Sequence, residues 1–183
     1  MKINVNARIA NPQMESLSTR RRGRQNDPDR HTPAGYAAVH PTVQTRLYIE
    51  EQLRECKLET DFDMDKLHVT LMYDKANPAL FHPGSPLEYE ARVVDADLYG
   101  DARVTLVLKL ASAGLEARFN YLRQAGYRHS YPTYSPHLTI KHPADEKDLA
   151  LAKEMLGQGF FNEPLVFGGE TWEPIVENYY AKD

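Results

Sequence analysis

The sequence predicts an α+β domain built from two similar halves, and three observations lead there. Apolar residues alternate with polar ones in several short runs, the period of a half-buried strand. Between those runs lie stretches in which apolar residues recur every three or four positions, the period of a helix packed on one face. The order helix, polar linker, strand bearing His-x-Thr occurs twice, which favours two related lobes over a single layered sandwich. At 183 residues and 20.9 kDa the chain has room for one well-cored domain and a tail.

Residues 1–33 read as a basic, largely disordered arm. SLSTRRRGRQNDPDRHTPAG has almost no bulky apolar side chain after Leu17, so burial cannot offset the entropy of ordering it. The arm carries seven Lys or Arg against three acids, +4, whereas residues 34–183 sum to −8. Arg20, Arg21, Arg22 and Arg24 can touch nucleic acid, but without interleaved aromatics they fit a solvated or partner-docking arm better.

From residue 34 the pattern is regular. GYAAVHP is a short strand closed by Pro41. Thr42 caps a helix over VQTRLYIEEQLREC, with Val43, Leu47, Tyr48 or Ile49, and Leu53 forming its inner face. KLHVTLMYDK is a strand that buries Leu67, Val69 and Leu71, with Tyr73 on the same face, and NPALFHPGSP is a loop. LEYEARVVDADLYG and ARVTLVLKL are two strands joined at the Gly100–Asp101 turn. GLEARFNYLRQAGY is a helix facing inward through Leu115, Phe119 and Leu122. YSPHLTIKH is a strand with Leu138 and Ile140 opposite His137 and Thr139. DEKDLALAKEMLGQG is a helix with acids in its first turn and glycines at its exit. PLVFGGETWEPI supplies the last strand.

Several function classes fall away on composition. The single cysteine, Cys56, leaves no intramolecular disulfide and no thiolate zinc site. No apolar run reaches the ~20 residues of a membrane span, and the polar N-terminus lacks a signal peptide's apolar stretch. A soluble, reducing compartment is therefore expected. With a net charge of −4 the overall field does not attract anions, so an anionic substrate needs local groups to hold it.

The chemistry lies in His68-Val69-Thr70 and His137-Leu138-Thr139, 69 positions apart. Side chains two apart on a strand share a face. Each triplet therefore offers an imidazole and a hydroxyl on one side while its neighbours enter the core. Brought together, two imidazoles and two hydroxyls suit a phosphodiester. A neutral imidazole can take the proton of an attacking hydroxyl, and a protonated one can give a proton to the leaving oxygen. The hydroxyls can donate to the non-bridging oxygens. If the attacking group is the substrate's own neighbouring 2′-hydroxyl, proximity replaces a metal. Paired structural histidines are the plainer alternative.

The triplets in LHVTLMYDK and SPHLTIKH resemble the signature of the 2H phosphoesterases, and the resemblance spans residues 34–183. It implies a two-lobed α+β fold, with antiparallel sheets lining a central cleft and helices outside. It also implies metal-free cleavage of RNA-like phosphodiesters, with His68 and His137 as acid and base and Thr70 and Thr139 holding the phosphate. Within that family, TLMYDK and RHSYPTYSPHLTIKH look most like the phage-encoded anti-CBASS nucleases. That likeness implies a cyclic di- or trinucleotide substrate, cleavage of 3′-5′ bonds to counter bacterial CBASS defence, and a host-cytoplasmic location. Aromatic clamps and a glutamate on the last strand are implied too, which makes Tyr36, Trp172 and Glu170 candidates for binding substrate. Each has an alternative reading: a packed or rim tyrosine, a core indole, a surface carboxylate. Lys141 shares the face of His137 by parity and can hold a phosphate oxygen or reach solvent. No cofactor, no metal, no membrane and no long nucleic acid is expected, and the oligomeric state is open. Three other functions compete: processing of RNA 2′,3′-cyclic phosphates or 2′-5′ oligonucleotides, sequestration of a nucleotide without turnover, and a metal site joining His68 and His137 to His142 or His129.

Overall fold

A computed structural model describes residues 35–60, 62–75, 84–101, 104–173 and 175. The basic segment 1–33 and His82 lie outside the described residues. The elements run β1 (Tyr36–Pro41), α1 (Val43–Glu55), a 3₁₀ turn (Met64–Lys66), β2 (Val69–Tyr73), β3 (Tyr89–Tyr99), β4 (Thr105–Ala111), α2 (Ala113–Gln124), β5 (His137–Lys141), α3 (Glu146–Gly157) and β6 (Leu165–Glu173). The strands form one six-stranded sheet in the order β2-β1-β6-β3-β4-β5, and every pairing is antiparallel. The long β3 serves two neighbours: Tyr89–Ala91 pair with β6, and Arg92–Tyr99 pair with β4. Helix α1 lies against β1 and β6, α2 against β3 and β2, and α3 against β3.

Each helix begins where its cap is. Thr42 accepts from the Thr45 amide, Ser112 from the Leu115 amide, and Asp145 forms a capping box with Asp148, so amides left open at the helix starts are satisfied locally. Helix α2 buries Leu115, Phe119 and Leu122, the face expected from spacing. The inner face of α1 differs. Thr45, Ile49 and Leu53 are buried, whereas Val43 and Leu47 are 60% and 56% exposed. The Thr45 hydroxyl accepts from the Val166 amide at 2.9 Å and from the Thr42 hydroxyl at 3.1 Å. A hydroxyl paired with β6 fixes the helix rotation that hydrophobicity alone assigned to Val43 and Leu47.

The core is continuous across the sheet. Leu67, Val69 and Leu71 around β2, Leu138 and Ile140 in β5, and Leu106 and Leu108 in β4 are all 1% exposed or less. Burying side chains of this size stabilises by about 1.5–3 kcal/mol each. The same burial forces the alternate residues of β2 and β5 onto the other face. That face carries the histidines.

Candidate active site

His68 sits one residue before β2, and His137 opens β5. Their surroundings repeat. His68 Nδ1 donates to the Lys66 carbonyl at 2.8 Å, and His137 Nδ1 donates to the Ser135 carbonyl at 2.8 Å. In both cases the acceptor is the backbone two residues earlier. A carbonyl only accepts, so each neutral ring carries its proton on Nδ1 and keeps Nε2 as the acceptor.

The strands repeat as well. Thr70 pairs with Ala38 and Met72 with Ala37, so Leu71 is an extra residue in β2. Thr139 pairs with Val107 and Lys141 with Leu106, so Ile140 is an extra residue in β5. Each motif strand thus bulges at the residue after its threonine. A bulge breaks the two-residue alternation and re-aims the side chains beyond it.

This corrects two expectations. Tyr73 leaves the core face and stands edge-on to Tyr36, with ring centroids 6.3 Å apart. Lys141 leaves the histidine face and turns to α3, where its ammonium donates to Asp148 at 2.7 Å. In this structure Lys141 is engaged by a carboxylate rather than offered to a phosphate.

The outer strands of the sheet order, β2 and β5, come back together, with Cα atoms within 8 Å. The Thr60 hydroxyl, in the segment leading to β2, donates to the Ile140 carbonyl of β5 at 2.9 Å. The histidines sense each other across this seam. Burial pushes His137 below its ordinary 6.5, the Ser135 carbonyl raises it again, and charge on His68 lowers it further. Each imidazole also has a tyrosine against it. The Tyr36 ring is edge-on to His68 at 6.1 Å, and the Tyr99 ring is 4.8 Å from His137. The hydroxyls of Tyr36 and Thr70 share a hydrogen bond at 3.3 Å, and those of Tyr99 and Ser135 at 3.2 Å. Tyr36 was legible from the opening strand. Tyr99 was not, because it looks like any tyrosine ahead of a turn.

Glu170 and Trp172 share a side of β6, as residues two apart do, and a bulge just before them sets which side that is relative to the start of the strand. Ala38 pairs with Thr171 but His40 with Gly168, so β6 holds an extra residue there, next to Gly169 at φ 60°. The Glu170 side chain is fully buried. Its carboxylate accepts from Arg118 Nε at 2.8 Å, from Arg118 Nη2 at 2.7 Å and from the Trp172 indole at 2.8 Å. A two-pronged guanidinium contact of this kind fixes both partners. It also holds the guanidinium above its ordinary value. Trp172 packs against Tyr127 with centroids 5.0 Å apart. Glu170 is therefore neither a surface carboxylate nor a histidine partner here; it ties α2 to the indole. Arg118, on the polar side of α2, gave no sequence signal.

His40 is a further residue that spacing did not single out. Its Nδ1 donates to the Leu67 carbonyl at 3.2 Å, and its Nε2 accepts from the Thr171 hydroxyl at 3.1 Å. It so links the residue before His68 to the residue between Glu170 and Trp172. His129 is also taken up structurally, since its Nδ1 accepts the Tyr73 amide at 3.1 Å.

Among the described residues no cluster of three or more His, Cys, Asp or Glu is placed to hold a metal ion. Nor is any helix there long and apolar enough to cross a membrane. A cavity of about 400 Å³ lies at the start of α1, between Thr45, Tyr48, Glu88 and Val166. It has no histidine in its walls.

Comparison with known proteins shows the family of the chain. A family model described as anti-CBASS protein Acb1 matches residues 33–182. The anti-CBASS protein Acb1 of Salmonella phage S16 is 30% identical over 148 residues, covering 79% of this chain and 90% of that protein. The Acb1 of Escherichia phage RB16 is 32% identical over 103 residues, covering 54% and 57%. That of Enterobacteria phage T4 is 26% identical over 142 residues, covering 77% and 81%.

Proposed function

Because this chain belongs to the anti-CBASS Acb1 family, we propose that it is a metal-independent phosphodiesterase that cleaves 3′-5′ bonds of cyclic di- or trinucleotide immune messengers. One observation carries the reading. Two His-x-Thr strands, each with its imidazole turned by the same Nδ1–carbonyl bond, lie side by side at the seam of the sheet.

The reaction needs a proton removed and a proton delivered. In the reading, the neutral imidazole takes the proton of the ribose 2′-hydroxyl through Nε2 as O2′ attacks phosphorus. The P–O5′ bond breaks, and the second imidazole, protonated, gives its proton to O5′. The product ends in a 2′,3′-cyclic phosphate. His137 has the environment that favours a neutral ring, which suits it to the base's role and leaves the acid's role to His68. Thr70 and Thr139 donate to the non-bridging oxygens, where charge accumulates in the transition state. Tyr36 sets the Thr70 hydroxyl and edges His68. Trp172 meets a base, held in orientation by Glu170 and Arg118. Lys141 has no part in this scheme while Asp148 holds it.

Product analysis tests the reading. The parent is incubated with cyclic dinucleotides, cyclic trinucleotides, 2′-5′ oligoadenylate and RNA ending in a 2′,3′-cyclic phosphate, each with and without EDTA. Cleavage of the cyclic oligonucleotides in EDTA is expected. His68→Ala and His137→Ala should each lose about 10²- to 10⁴-fold in rate while keeping the parental melting temperature. Activity abolished by EDTA and restored by a metal would overturn the mechanism. Binding without products would make the protein a sequestering one.

A further inference from the structure

We propose that Tyr131, backed by Tyr73, is a stacking subsite for the nucleobase farthest from the scissile phosphate; the proposal rests on the phosphodiesterase reading above. Tyr131 lies in the loop between α2 and β5, and it is 62% exposed. An exposed tyrosine on a loop is ordinarily mobile and means nothing. This one is held. Its ring stacks on Tyr73 with centroids 5.8 Å apart and planes 25° apart, and His129 flanks it at 5.6 Å.

The loop itself is laced to the end of β2. The Arg128 amide donates to Asp74 at 2.6 Å, and the Tyr73 amide donates to His129 Nδ1 at 3.1 Å. The Ser130 amide donates to the Tyr73 carbonyl at 2.7 Å, and the Lys75 amide donates to the Ser130 hydroxyl at 3.1 Å. Asp74 is fully buried, so this attachment is part of the packed structure rather than a surface contact. Tyr131 follows the last of these bonds directly.

Ring contacts then step outward from the acid–base pair: His68 to Tyr36 at 6.1 Å, Tyr36 to Tyr73 at 6.3 Å, Tyr73 to Tyr131 at 5.8 Å. Two rings, Tyr36 and Tyr73, stand between His68 and Tyr131 in this series. An aromatic face that is fixed in place and open to solvent gains from stacking a base without the entropy of ordering itself. A small cyclic oligonucleotide gripped only at its phosphate would leave its distal base unsupported, and this face is where such support is available.

The test is steady-state kinetics of Tyr131→Ala, Tyr131→Phe and the parent on a cyclic dinucleotide that the parent turns over. The Ala variant should raise KM about 5- to 100-fold, the loss of one stacked base, with kcat close to the parent's. The Phe variant keeps the ring face and should keep KM near the parental value. Parental KM in the Ala variant of an active enzyme would overturn the subsite and leave the phosphodiesterase reading standing. An equal loss in the Phe variant would also overturn it, because the hydroxyl and not the ring face would then be in contact. An inactive parent would instead overturn the reading on which the subsite rests.

Discussion

His137 stands where burial and reactivity meet. Its strand must bury Leu138 and Ile140, both fully excluded from solvent, so the ring between them and the solvent is partly desolvated. Desolvation disfavours the imidazolium. A base with a lowered pKa stays neutral further into acid, so the acid limb of the pH–rate profile should fall below pH 6.5, the ordinary value for histidine. Rates measured from pH 4.5 to 9 should trace a bell, with its acid limb displaced downward. A limb centred above 6.5 would show that His137 is not the base. Both histidines and both threonines were legible from the triplets, because polar residues two apart inside apolar runs are conspicuous. Tyr73 and Lys141 were misread for the same reason that the triplets were readable. Both were placed by strict alternation, and alternation carries no sign of an inserted residue.

At the scale of the elements, bulges do the aiming. One in β2 sends Tyr73 out of the core, one in β5 sends Lys141 to Asp148, and one in β6 turns Glu170 inward beside Gly169. Of the ten elements among the described residues, all except the 3₁₀ turn were readable from hydrophobic period and capping residues. Each bulge is a shift of one residue between partner strands, which belongs to a pair of segments and not to either alone. The β6 bulge has a glycine to probe. Gly169 has φ 60°, and an added Cβ would meet nothing within 4 Å. Gly169→Ala therefore isolates the backbone cost of the left-handed conformation, about 1–2 kcal/mol. The expected result is a melting temperature a few degrees lower with the fold retained. If the bulge relaxes instead, the Glu170–Trp172 contact should break and the fluorescence of the single tryptophan should change. An unchanged melting temperature would mean that the strand is not held at positive φ.

For the whole molecule, two partly buried histidines set the response to acid. Burial lowers His129 and His137 from 6.5. The unfolded chain then binds more protons than the folded one just below that pH. Stability is complete above about 6.5 and is lost as pH falls through the lowered values. The Asp145 carboxyl, lowered from 3.8 by the amides of Asp148 and Lys147 that it caps, acts only in stronger acid. His129→Asn keeps an acceptor for the Tyr73 amide but does not titrate. Its melting temperature should fall less between pH 7 and pH 5 than the parent's, and an identical fall would remove His129 from the account. The sheet order has its own consequence. The first and last strands in that order carry His137 and the residue after His68, so the two triplets stand at opposite ends of the pairing order yet adjacent in space. On the proposed mechanism, the reacting geometry is a property of the curvature of the whole sheet rather than of any one hairpin.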